Sequence, residues 1–316
     1  FAPAVTTAPK ETTVPKVTPA PVVTTTPKET TVPKVTPAPV VTTTPPVTTT
    51  PVVTTTPAPI VTTKPVKKPS GRKTIRTQED LYDALLEASL KGQKTLDIYL
   101  DASEDIDLLG DTTMSYVVDC GRLRWSGDGT GNIKYTITYT PGRNIIIANK
   151  SGNTSSLSSS EKELYEKAKR IVADCTSSSA SDYDNAKALH DYLVNNTVYA
   201  YTGGDSRYDA RGPILYGESV CAGYTDAYNL LLGLAGIESY QVTGESVNSV
   251  GSRGNHAWNL VNLDGRWVYV DVTWDDPVTS DGSNKLRYDY FAISESEIST
   301  NHFWTKDYTD KIKSLA

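Results

Sequence analysis

Apolar and polar positions follow regular periods from Lys73 onward and no regular period before it. In TQEDLYDALLEASLKG (Thr77–Gly92) the residues Leu81, Ala84, Leu85 and Ala88 recur at three and four, which predicts an amphipathic helix. Thr77 followed three residues later by Asp80 predicts a capping box, with Asp a weaker partner than Glu, and Gly92 the stop. TLDIYL (Thr95–Leu100) alternates as a strand, and KYTITYT (Lys134–Thr140), bounded by GDGTGN and Pro141-Gly142, predicts another. Ser158–Cys175 and Ser181–Asn196 predict two serine-capped helices, the second with the stripe Ala186, Leu189, Tyr192 and Leu193. A polar, tyrosine-rich loop (Thr197–Glu218) follows. In GESVCAGYTDAYNLLLGLAG (Gly217–Gly236), Val220, Tyr224, Ala227, Leu231 and Leu234 form one helical face, with Ser219 the expected N-cap and Gly236 the C-cap. Asp264-Gly265, between two apolar runs, predicts a two-residue hairpin turn.

The first 70 residues behave differently. PKETTVPKVTPAPVVTTT fills Pro9–Thr26 and recurs identically at Pro27–Thr44, then decays into PVVTTTPAPIVTTKPVKKP. Sixteen of the 19 prolines lie here, and they favour polyproline II and cannot donate to a sheet ladder. This composition buries too little apolar surface to offset ordering, so residues 1–71 are expected to be an extended or disordered Thr/Pro-rich linker. Residues 72–150 are expected to be a small α/β unit with a positioning role, and residues 151–316 the catalytic domain.

The linker carries seven lysines and two glutamates, a charge of +5, which leaves −11 of the chain's −6 for residues 71–316. An acidic globular part argues against nucleic acid as a partner, because phosphate binding needs a basic face. No run approaches the roughly 18 apolar residues of a membrane span. The chain begins at Phe1 and its one methionine is Met114, so it reads as a processed or excised piece, with further modules upstream of the linker an open option. Cys120 and Cys175 are either a disulfide or two buried thiols; Cys221 is expected to be free.

Cys221 falls in the first turn of its helix, where partial positive charge and unpaired N–H groups favour a thiolate and can hold an oxyanion. A cysteine at a helix start is, by itself, more often a buried spectator. The hairpin changes the balance. If Leu263 pairs with Arg266, then Trp258 faces Asp271 and His256 faces Thr273, so His256 and Asp271 become diagonal neighbours on one side of the ribbon. A one-residue bulge at the turn would put Asp271 on the other side. With the register kept, Cys221, His256 and Asp271 form a nucleophile, base and orienter. His190 is read as a helix-packing residue, His302 as a surface or lid contact, and Asp275-Asp276-Pro277 as a turn. No His/Cys/Asp grouping has zinc spacing, no acidic loop has calcium spacing, and no glycine pattern suits phosphates, so no metal or cofactor is expected.

Cys-x-Gly-Tyr at Cys221–Tyr224, Gly-Asn-His-Ala-Trp-Asn at Gly254–Asn259 and Val-Asp-Val-Thr-Trp-Asp-Asp-Pro at Val270–Pro277 resemble the transglutaminase-like superfamily, and within it the bacterial, exported cysteine-protease-like branch. The resemblance spans Ser158–Tyr308. It implies an α+β, papain-like fold in which the nucleophile helix packs on an antiparallel sheet supplying His and Asp. It further implies Cys221 as nucleophile, His256 as general base and acid, and Asp271 as orienter. The helix-plus-Tyr segment before the cysteine is matched by His190–Tyr201. For an oxyanion-hole side chain, Tyr216 and Tyr224 are the candidates.

The function expected is acyl transfer on protein or peptide amides through a thioester, with peptidase-like hydrolysis favoured. Transglutaminase crosslinking is the alternative within that chemistry, and a non-catalytic surface scaffold or adhesion module the alternative outside it. The expected setting is a monomer, secreted or at a cell surface.

Overall fold

The computed structural model describes residues 71–277 and 285–315. The linker expected over residues 1–71 therefore lies outside the described residues, apart from residue 71. The remaining elements run in order β1 (Lys73–Ile75), α1 (Gln78–Leu90), β2 (Thr95–Leu100), α2 (Asp111–Ser115), β3 (Cys120–Gly127), β4 (Asn132–Tyr139), α3 (Pro141–Lys150), α4 (Ser159–Cys175), α5 (Asp182–Asn196), β5 (Val198–Tyr199), β6 (Glu218–Ser219), α6 (Cys221–Ala235), β7 (Ser239–Val247), β8 (Arg253–Leu263), β9 (Arg266–Val270), α7 (Glu295–Ile298), β10 (His302–Phe303) and α8 (Lys306–Leu315).

Local signals set most helix starts. Thr77 and Ser158 make full capping boxes with Asp80 and Glu161, and Ser181 caps α5 through the Asp184 N–H. Pro141-Gly142 does more than end a strand. Thr140 caps the Arg143 N–H and Pro141 opens α3, a position where the missing proline N–H costs nothing.

Two four-stranded sheets organise the chain. The first, in order β1-β2-β4-β3, packs on α1 through Ile75, Leu81, Leu85, Ile98, Tyr135 and Ile137. The second, in order β10-β7-β8-β9, is antiparallel throughout and supports α6. The fold is α+β, with a helix packed on an antiparallel sheet. Cys120, Cys175 and Cys221 are all free thiols, so the disulfide option does not hold.

Helix α6 corrects the amphipathic pattern. Every residue from Gly223 to Leu232 is buried, because α3, α4 and α5 cover the sides that the sheet leaves open. Its polar residues are consequently buried and bonded. Asp226 accepts from the Gly142 and Ala210 N–H groups and meets the Thr140 hydroxyl at 2.5 Å. Burial pushes its carboxyl up to about 7 despite these bonds. Asp226→Ala strands three buried donors and is expected to lower the unfolding free energy by about 3 kcal/mol, whereas Asp226→Asn keeps an acceptor and a donor in place and loses about 1 kcal/mol. The raised folded-state pKa means that wild-type stability from this group is full below the ordinary carboxylate range and is lost as pH rises through about 7. Urea unfolding at pH 5 and pH 8 checks both statements, and the Asn variant should flatten the difference.

Candidate active site

Helix α6 begins one residue later than its sequence suggests. Val220 is the N-cap, without a side-chain cap, and Cys221 is the first helical residue. Ser219 instead belongs to β6, and its hydroxyl donates to the Arg207 and Val220 carbonyls. The Cys-x-Gly-Tyr spacing has a steric cause. A Cβ on Gly223 would lie 2.4 Å from the Arg207 carbonyl oxygen and 2.2 Å from Ser219 Oγ, so only glycine lets the helix start sit against that loop. Tyr224 is buried and donates its hydroxyl proton to Asp276. It is therefore committed elsewhere and is not the oxyanion donor proposed from sequence. Tyr216, the other candidate, is 63% exposed.

The hairpin keeps its register. Asp264 and Gly265 both have positive φ, as a two-residue turn of this hand requires, and Asn259↔Val270 through Leu263↔Arg266 pair without a bulge. The ladder ends at Val270. Asp271 then leaves it, its N–H donating to the Tyr290 carbonyl, and its own carbonyl receives the Trp274 and Asp275 N–H groups in a tight turn. His256 sits in β8 opposite Gly244 of β7. His256 Nε2 lies 2.6 Å from Asp271 Oδ2, and since a carboxylate only accepts, Nε2 carries the proton. The ring's other nitrogen is Nδ1, and Cys221 lies near enough to the ring to act on its charge. Burial works against a charged ring, but the Asp271 carboxylate and the contact with Cys221 outweigh it and push His256 up to about 10. Burial likewise opposes an ionised Asp271, and the His256 and His302 contacts reverse this, holding its carboxyl well below the usual range. The structure thus pairs His256 with Asp271 and sets Cys221 near the same ring.

The last motif residue of Gly254–Asn259 ties the two halves of this site together. Asn259 Nδ2 donates to the Thr225 carbonyl and to Asn229 Oδ1, both on α6. Asn229 in turn donates to Asp119, which also accepts from the Gln241 N–H. This buried polar chain fixes the distance between the helix holding Cys221 and the strand holding His256.

The Asp271 turn is staked by three carboxylates. Asp271 meets His256, Asp275 meets His190 Nε2 at 3.2 Å and the Tyr290 N–H, and Asp276 meets Tyr224. His190 is a fully buried packing residue, as expected, yet its other nitrogen faces Asp191 at 3.1 Å. Burial opposes its charge, and the two carboxylates outweigh that and raise its pKa.

Two residues near the site were misplaced or missed from sequence. His302 is neither a surface nor a lid residue. It is 1% exposed, and its Nε2 lies 3.0 Å from the same Asp271 oxygen that His256 uses. Tyr199 reaches the site because β5 pairs in parallel with β6, immediately before Cys221. Burial, and after it electrostatic interactions with its surroundings, push its hydroxyl up to about 12. His256, Asp271 and His302 have metal-capable donor atoms within 4.8 Å of one another, a grouping that no sequence spacing announces. The two ring nitrogens meet the shared oxygen at hydrogen-bond distances, so the trio is built as a proton-linked hub.

His256 opens onto a groove of about 1090 Å³, lined also by Tyr199, Tyr201, Trp274, Arg253 and Asn255. Cys221 is itself of intermediate burial.

Residues 166–272 match the family model of the Transglutaminase-like superfamily. The chain carries a transglutaminase-like domain. Cys221, His256 and Asp271 all fall inside the matched segment of that domain. The chain is also similar to the kyphoscoliosis peptidase of Mus musculus, 23% identical over 131 residues that cover 38% of this chain and 20% of that protein. The same peptidase of Homo sapiens is 24% identical over 148 residues, 42% of this chain and 22% of its own length. This chain thus spans about a fifth of the length of these relatives. Among solved structures, the crystal structure of a TGase aligns with 70% of this chain and 64% of its own, at 16% identity and a TM-score of 0.33. Among the described residues, no helix is long and apolar enough to cross a membrane.

Proposed function

We infer that the transglutaminase-like domain is a cysteine-dependent acyl-transfer enzyme that hydrolyses protein or peptide amides. The observation that carries this is the His256–Asp271 pair, a buried carboxylate 2.6 Å from the ring, with the helix-start Cys221 acting on the charge of that same ring. A binding module has no need of that arrangement, and the relatives named as peptidases support hydrolysis over crosslinking.

In this mechanism His256 holds the proton and Cys221 attacks as the thiolate, forming a carbon–sulfur bond at the amide carbonyl. The negative oxygen is received by the first N–H groups of α6 and by the Tyr199 hydroxyl, which replaces Tyr216 and Tyr224 as the side-chain donor. His256 then gives its proton to the leaving amine, the carbon–nitrogen bond breaks, and a thioester remains. Neutral His256 takes a proton from water as it attacks, and collapse returns the acid product and the free thiol. Asp271 stays ionised and orients the ring throughout. A lysine amine in place of water would make the enzyme a crosslinking transglutaminase. The groove is open on one side and lined by aromatic and polar groups, which suits an extended peptide segment. The setting proposed is secreted or cell-surface, with residues 1–71 as the spacer.

Incubating the full chain with a glutamine-containing protein and a labelled primary amine tests the assignment. New peptide fragments without label are expected. Label incorporation without fragments would move the assignment to transamidation. Neither product over a panel of unfolded proteins, together with a Cys221 no more reactive than a free thiol, would leave a non-catalytic surface module.

A further inference from the structure

We propose that His302 is a positioning residue for this site: from β10 it donates a hydrogen bond to Asp271 Oδ2 that fixes the carboxylate against which His256 is oriented. The inference rests on the assignment of Cys221, His256 and Asp271 as the reacting set, and adds a fourth member that does not touch substrate.

Three donors converge on Asp271. His256 and His302 both bond Oδ2, at 2.6 and 3.0 Å, and the Trp274 N–H bonds Oδ1 at 3.2 Å. Without His302 the carboxylate would be held by one short contact at Oδ2 and the longer Trp274 bond at Oδ1. The second imidazole approaches from another strand and selects one orientation. His302 is itself held on every side. Its Nδ1 lies 2.7 Å from Asn301 Oδ1, and Asn301 Nδ2 donates to the Tyr290 hydroxyl at 2.7 Å. The rings of Trp274, Trp258 and Tyr290 surround it at centroid distances of 4.5, 4.8 and 5.6 Å.

The local backbone is shaped to bring it there. β10 is only two residues long and pairs with β7 alone, His302 opposite Ser246. A Cβ on Gly244 would lie 2.1 Å from the Phe303 carbonyl oxygen, so glycine is what allows β10 to lie this close. An apolar side chain would fill the aromatic cage equally well. Only a donor satisfies a buried, charged carboxylate in it.

The ionisable groups facing Asp271 are His256 from β8, His302 from β10, Tyr199 from β5, and Tyr290 and Asp275 from the segment after β9. Of these, only the two histidines donate to the carboxylate; burial keeps the Tyr199 and Tyr290 hydroxyls protonated, and Asp275, when ionised, favours protonation of Asp271. Loss of His302 therefore makes Asp271 easier to protonate as pH falls, and with it the His256–Cys221 pair collapses at higher pH.

The test is the pH dependence of iodoacetamide alkylation at Cys221 in the full chain, read by mass spectrometry of the Cys221 peptide, with thermal unfolding recorded for each variant. His302→Phe keeps a ring in the cage but no donor. It is expected to slow alkylation at neutral pH about tenfold and to move the acid limb of the profile up by about one pH unit. His302→Gln restores a donor and is expected to stay within about threefold of wild type, a rescue that a purely structural role would not produce. A wild-type profile in His302→Phe, or equal profiles for Phe and Gln, would overturn the inference. Should His302→Phe fail to fold, His302→Met carries the same comparison. His256→Ala is the internal control. If it leaves alkylation unchanged, the reacting set itself is wrong; if it slows alkylation while His302→Phe does not, only the role of His302 falls.

Discussion

Cys221→Ser is expected to lower peptide hydrolysis by at least about a thousandfold, with the melting temperature unchanged within about 2 °C. The expectation follows from where the proton sits. His256 is pushed up to about 10, so over the neutral range the imidazole is already charged and cannot serve as a base toward a hydroxyl. A sulfur can be the anion beside that cation, and a serine oxygen cannot. The serine fits, because Cys221 is half-buried at a helix start, where a slightly smaller oxygen opens no sealed cavity. Cleavage of an unfolded protein substrate, followed by fragment analysis beside a thermal melt, measures both quantities. Undiminished cleavage by the serine variant would remove the cysteine from the chemistry.

The second large effect concerns Asp271. Asp271→Asn keeps the shape but removes the charge that holds the His256 proton on Nε2 and balances the imidazolium. Activity is expected to fall by about three to four orders of magnitude, from loss of ring orientation and charge. Stability should change as well, with a definite pH signature. His256 has a folded-state pKa above its ordinary value, so the stability it contributes is full below about pH 6.5 and is lost as pH rises through about 10. In Asp271→Asn the main cause of that elevation is gone. Urea midpoints measured from pH 6 to pH 10 should decline steeply for wild type and weakly for the variant. Parallel declines would mean that the His256–Asp271 pair contributes no net stability. Asp271→Ala is expected to be worse than Asn by about 3 kcal/mol, because it leaves two buried imidazole N–H groups without an acceptor.

Both effects depend on a site whose parts were unequally visible in the amino-acid sequence. The pairing of His256 with Asp271 was legible because a two-residue Asp-Gly turn fixes register, and register fixes which side chains share a side. The real geometry differs in one respect: Asp271 has already left the ladder and is held by the Tyr290 carbonyl and its own turn, yet the side chain still reaches His256. Cys221 was legible as a helix-start residue, one position off, because Val220 rather than Ser219 takes the cap. Ser219 looked like a cap because its hydroxyl is suited to one. Its hydroxyl instead donates to the Arg207 and Val220 carbonyls, and no helix N–H donates to it. His302 gave no signal. It lies 31 residues beyond Asp271 on a two-residue strand, and neither helical nor strand periodicity can be read from so short a segment.

The sequence by itself determined most of the caps, the strand periods and the hairpin register that sets His256 beside Asp271, since each is decided by residues within one or two turns or across one tight turn of chain. The tertiary structure alone decided that α6 is buried all round from Gly223 to Leu232, that Asp226 and Asn229 are bonded there, that Tyr224 is bonded to Asp276, and that Asp271 serves two histidines. Those facts rest on contacts between segments far apart in the chain. Such contacts depend on how whole elements pack, and packing leaves no period in the order of the residues.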